Sequence, residues 1–141
     1  MKKFYGVLIL AIVLLVVGSY NNHAEAIDYY LGVYQSGQEA YLDTSSIITK
    51  NDYVNGSHRG DNYTCTVKAV YVENNSYDIV HYEVYVGMTV IFLYKNGEEV
   101  FRTFHSRKTN YLEENPVEHS LVNYFVKLTE QNWNSVPEHV R

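Results

Sequence analysis

Apolar and polar side chains alternate over residues 63–72. Tyr63, Cys65, Val67, Ala69 and Tyr71 fall on one side, and Thr64, Thr66 and Lys68 on the other. Successive side chains of a strand point to opposite faces, so the run predicts a strand with one buried face. Residues 77–86 repeat the pattern, with Val80, Tyr82, Val84 and Val86 in phase and His81 and Glu83 out of phase; Gly87 ends it. The polar residues 73–76 between the two strands read as a turn. Upstream, residues 29–35 are aromatic and β-branched, Ser36-Gly37 punctuates them, and residues 39–42 return as the second arm of a hairpin. Residues 43–46 (Asp-Thr-Ser-Ser) read as a turn, because short polar side chains bond nearby backbone. Residues 50–62 hold little apolar content around Asn55-Gly56 and read as one long loop.

Residues 90–94 and 100–105 flank Asn96-Gly97, a dipeptide that supplies the positive φ angles of a two-residue hairpin turn. Uninterrupted pairing from that turn predicts Phe92 opposite Phe101 and Lys95 opposite Glu98. It also places Ile91, Leu93, Val100 and Phe104 together on the second face, so the hairpin is apolar on both sides. The period then changes. Asn115 suits a helix cap, Pro116 the first helical position, and Glu118 lies three beyond the cap. Val117, Leu121, Tyr124, Phe125 and Leu128 form one stripe at helical spacing. The helix is expected to end near Glu130, leaving a tail from which Trp133 docks on the body. The elements predict an α+β fold: an antiparallel sheet of about six strands with one C-terminal amphipathic helix packed on one face.

The N-terminus obeys a different logic. Lys2 and Lys3 precede an apolar run over residues 7–18, and Ala24-Glu25-Ala26 supplies a small-x-small cleavage pattern. The apolar stretch is shorter than the roughly 20 residues a membrane span requires. Residues 1–26 are therefore expected to be a signal peptide and residues 27–141 a single exported domain. Its destination is the periplasm, the cell surface or the medium, with no stable membrane insertion after cleavage.

The exported part carries nine Lys and Arg against fifteen Asp and Glu, with the acids scattered. Nucleic acid and anionic membranes both call for clustered positive charge, so neither is expected as a partner. Cys65 is the only cysteine, which leaves no internal disulfide. Its strand position, without a basic neighbour, suits a buried small apolar side chain. A thiol hydrolase would need Cys65 beside His81 or His105, and Cys65 and His81 are predicted on opposite faces. His81 and Glu83 share a strand face and could offer two metal ligands, where a closed site needs more. No catalytic, cofactor-binding or metal residue is assigned, and no cofactor is expected. Asn55, Asn62 and Asn74 head Asn-x-Ser/Thr sequons in or beside the expected loops.

Tyrosine is the compositional excess: fifteen in the chain, thirteen of them after Ala26. Its apolar body and polar tip suit wet interfaces. With the two-faced hairpin, this points to a non-enzymatic domain acting through contacts with a protein partner or with itself. The alternative is a periplasmic small-molecule or metal-binding domain with a pocket between helix and sheet, edged by His81, Glu83 or His105.

Residues 29–47 (YYLGVYQSGQEAYLDTSSI), the Cys-Thr-Val-Lys-Ala-Val strand at 65–70 and the Pro-Val-Glu helix start at 116–118 resemble small exported bacterial proteins of the surface-adhesin protein E type. The resemblance implies a six-stranded antiparallel sheet with a C-terminal helix on it, often dimeric, displayed at the cell envelope, and an adhesin-like role. The chain departs from that pattern in lacking a cysteine pair between helix and sheet and a cysteine for a lipid anchor.

Overall fold

A computed structural model of the protein describes residues 28–104 and 110–135. The expected signal peptide, His105 and the end of the chain lie outside the described residues. Six strands follow one another in a meander, each paired antiparallel with its sequence neighbour. They are β1 (Asp28–Val33), β2 (Glu39–Val54), β3 (Ser57–Tyr71), β4 (Ser76–Gly87), β5 (Val90–Lys95) and β6 (Glu98–Phe104). A short helix α1 (Asn110–Glu114) leads into the long helix α2 (Pro116–Ser135). This is the α+β architecture that the two hydrophobic periods predict.

The helix lies on one face of the sheet. Leu42, Tyr63, Val67, Val84, Leu93 and Phe101 project from the strands onto Val117, Leu121, Val122 and Phe125 of α2. Tyr63 stacks on Phe125 with ring centroids 4.5 Å apart, and Phe101 stacks on Tyr111 of α1 at 5.5 Å. Cys65 is buried in this layer, as expected of a small apolar side chain. The start of α2 follows the sequence: the His119 amide closes the first turn on the Asn115 carbonyl at 2.9 Å. Asn115 Nδ2 donates to the Tyr111 carbonyl and so joins the two helices.

Four expectations need correction. Residues 50–62 are not a loop. They are the distal ends of β2 and β3, paired from Thr49↔Tyr63 to Val54↔Ser57 around a tight turn at Asn55 (φ 52°) and Gly56 (φ 79°). Positive φ at both central positions is the turn that matches strand twist. The arm carried no apolar alternation because nearly all of its β2 half is exposed to solvent. Residues 43–46 are not a turn between strands but an irregularity within β2, where pairing passes from Asp43↔Thr66 to Ile48↔Thr64. The polar side chains still bond locally: Asp43 accepts from the Ser45 amide and hydroxyl, and Ser46 Oγ accepts from the Thr66 amide at 2.9 Å in place of a carbonyl.

Third, Phe92 faces Arg102, not Phe101, although Lys95 does face Glu98. The register slips between Leu93 and Tyr94, and Val100 is the residue left over, which brings Leu93 opposite Phe101. The bulge moves Phe101 into the buried layer with Ile91 and Leu93, so the hairpin buries one face and not two. Fourth, α2 continues past Glu130, and Trp133 is helical and not part of a tail.

Candidate functional site

The residues that the sequence singles out for chemistry do not converge. His81 and Glu83 lie on the face away from α2, beside Ile48, Thr64 and Tyr94 in a shallow hollow. Glu83 accepts from Asn62 Nδ2 at 2.8 Å. Among the described residues, no group of three His, Cys, Asp or Glu side chains could hold a metal ion. Cys65 pairs across the ladder with Tyr82, and His81 with Thr66, so thiol and imidazole stand on opposite faces. Burial pushes the Cys65 thiol up to about 12, which keeps it protonated and unreactive at neutral pH.

The open face carries an aromatic and aliphatic surface. Two neighbouring rows cross the first four strands: Val33–Glu39–Val70–Tyr77 and Tyr30–Tyr41–Lys68–Ile79. Tyr77 is 58% exposed, Tyr30 51%, Ile79 44% and Val33 41%. Tyr30 and Tyr41 lie ring against ring at 5.3 Å, Tyr41 donates to Glu39, and Lys68 holds Asp28 at 2.8 Å. Side chains fixed by such contacts lose little freedom when a partner covers them. Farther along, Tyr85 covers Gly60 and Gly87, where a Cβ would meet its ring. Phe92 is sandwiched between Tyr85 and the Arg102 guanidinium.

Two buried polar clusters lie under the helix. At its N-terminal end Glu118 is 3% exposed. Instead of turning back to its own cap, its Oε1 accepts from Tyr82 OH and from Lys95 Nζ, both at 2.9 Å. The Tyr34 hydroxyl is 3.1 Å from that of Tyr82, and Lys95 also rides over the Tyr34 ring at 4.7 Å. Burial pushes the Tyr34 hydroxyl up to about 12, and burial with the neighbouring Tyr34 and Glu118 pushes Tyr82 higher still. The cluster clasps helix to sheet.

At the other end of α2, Asp61 is wholly buried and His58 is 7% exposed. His58 Nε2 lies 2.7 Å from Asp61 Oδ1. The opposite carboxylate oxygen accepts from Tyr63 OH at 3.1 Å, and Tyr63 OH is 2.7 Å from Thr129 Oγ1 on the helix. The Tyr63 hydroxyl has a single proton, committed to Asp61, so Thr129 donates to Tyr63. Burial pushes the Tyr63 hydroxyl up to about 12, which keeps that proton in place. His58 is flanked by the rings of Trp133 at 5.2 Å and Tyr53 at 5.3 Å. Sequence reasoning missed this cluster. Alternation carried back from Tyr63 puts Asp61 in phase with the core, which was a usable signal. The same alternation puts His58 out of phase. Pairing passes from Asp52↔Gly60 to Tyr53↔His58, which leaves Arg59 as an extra residue and turns His58 inward.

The described residues contain no helix long and apolar enough to cross a membrane. No family model, curated protein or solved structure matches this chain.

Proposed function

We propose that the chain is a non-enzymatic exported domain, akin to the surface-adhesin protein E type, that works by protein contact through the open face of its sheet. The observation that carries this reading is the exposed patch of Tyr30, Val33, Tyr77 and Ile79 on the face that α2 leaves bare. A sheet backed by a helix on one side has no structural need for aromatic and aliphatic rows on the other. The rows are rich in tyrosine, which contributes contact area and a hydrogen-bonding tip at low entropy cost. A second copy of the chain and a different envelope or host protein are both partners of this chemistry.

The test is the double substitution Tyr77→Glu with Ile79→Glu, both exposed, so that folding is spared. Solution mass by sedimentation and retention of proteins from envelope extract on the immobilised domain are measured for both forms. Self-association or specific retention that disappears in the double variant supports the reading. A monomer whose retained proteins are the same with and without the patch overturns it.

A further inference from the structure

A slot of about 260 Å³ opens between the last turns of α2 and the distal ends of β3 and β4. His58, Val86, Met88, Val126, Thr129 and Trp133 are among the residues that line it. Its walls are mostly apolar, yet it holds the buried imidazole described above. An apolar cavity of about 150 Å³ accepts benzene, so the slot has room for one aromatic ring with a substituent. Met88 stands at the slot 62% exposed, although a thioether gains from contact with an aromatic ring.

The polar element is built, not incidental. Asp61 meets His58 Nε2 with one oxygen and accepts from the Tyr63 hydroxyl with the other. With Nε2 engaged by Asp61 and the imidazole lining the slot, Nδ1 is the ring nitrogen that a ligand there can bond. The rings of Trp133 and Tyr53 both pack against the imidazole. A polar group at the edge of an apolar slot orients a ligand that is able to bond it.

We propose that this slot binds a small neutral aromatic molecule bearing one hydroxyl group, with the ring between Trp133 and Met88 and the hydroxyl bonded to His58 Nδ1. The site is independent of the sheet face, and neither proposal stands or falls with the other.

Trp133 is the only tryptophan of the chain, so its indole N–H gives a single resonance that reports on the slot. Purified protein is titrated with p-cresol and, separately, with toluene, which keeps the ring and lacks the hydroxyl. The expected result is a saturable shift with p-cresol and binding at least tenfold weaker with toluene. His58→Phe brings p-cresol down to the level of toluene. Val126→Phe, at a half-buried helix position, fills the slot and abolishes both; it keeps the test open should His58→Phe fail to fold. Equal binding of the two probes, shifts that never saturate, or unchanged binding to Val126→Phe overturns the proposal. Binding that appears only after residues 136–141 are removed makes the end of the chain the occupant and also overturns it.

Discussion

Alkaline pH should unfold this protein in a defined order, beginning with its single thiol. Cys65 is 4% exposed in the layer between sheet and helix. Burial raises its thiol from the ordinary 9.0 to about 12. Above pH 9 the unfolded chain loses this proton while the folded chain keeps it, so the unfolded state binds fewer protons. Stability then falls as pH rises, by about 1.4 kcal/mol per pH unit for one such group. The contribution is fully present below pH 9 and is lost progressively toward pH 12. Across the whole window the thiol costs on the order of 4 kcal/mol, a large part of the 5–15 kcal/mol typical of a small domain. The hydroxyls of Tyr34 and Tyr63, raised from 10.0 to about 12, and that of Tyr82, raised further, join as pH passes through 10. Between pH 9 and 10 these hydroxyls contribute roughly 0.3 kcal/mol each, so it is the difference between wild type and Cys65→Ala that isolates the cysteine. Urea denaturation at pH 7, 9, 9.5 and 10 is the assay, on wild type and on Cys65→Ala. Wild type should lose about 1 kcal/mol more than Cys65→Ala between pH 9 and 10. Cys65→Ala should start from a lower stability and keep only the shallower slope that the buried tyrosines supply. Parallel loss in the two proteins would refute the assignment of this slope to the buried thiol.

Three further outcomes follow from the packing. Phe125→Ala removes the ring that stacks on Tyr63 and should cost about 3–5 kcal/mol in equilibrium unfolding, as buried aromatic truncations do. Lys95→Met leaves the buried Glu118 carboxylate with Tyr82 as its remaining donor; because Lys95 is itself a third exposed, the cost should be about 2–3 kcal/mol, with Glu118→Gln added to Lys95→Met recovering part of it in a double-mutant cycle. Gly60→Ala would place a Cβ 2.5 Å from the Val86 carbonyl oxygen and 2.7 Å from Gly87 Cα, backbone that cannot give way, so the β3–β4 ladder should open locally there, and amide exchange at Asp61 and Asn62 should accelerate.

The parts of this fold that were legible share one property: a face that meets the core along its whole length. Residues 63–69 and 80–86 announced their buried sides because every second residue is covered by α2, and Asn115-Pro116 announced the helix because its cap chemistry is local. The distal arm of β2 and β3 was illegible for the opposite reason. Its β2 side chains are in water, so composition resembled a loop while backbone pairing, which leaves no trace in side-chain pattern, held it extended. Even there Asn55-Gly56 was recognised as a turn signal, and only the strands on either side of it escaped notice.

Bulges account for the remaining misses, and they fall where the chain does something other than pack. An extra residue in one strand changes which face the following side chains take, and the need for it is set by the partner strand. Val100 is such a residue: skipping it buries Phe101 beside Leu93 and removes the apparent apolar second face of the hairpin. Arg59 is another, with the reverse chemical effect. Strict alternation would send His58 to the open face; the extra residue sends it under Trp133 and onto Asp61. A fully buried carboxylate is costly unless donors meet it, and Tyr63 alone would leave one oxygen unpaired. The bulge at Arg59 is thus the step that lets Asp61 occupy a core position at all. The protein gains by it an imidazole at the edge of an apolar slot, the one place among the described residues where a buried histidine and room for a ligand coincide.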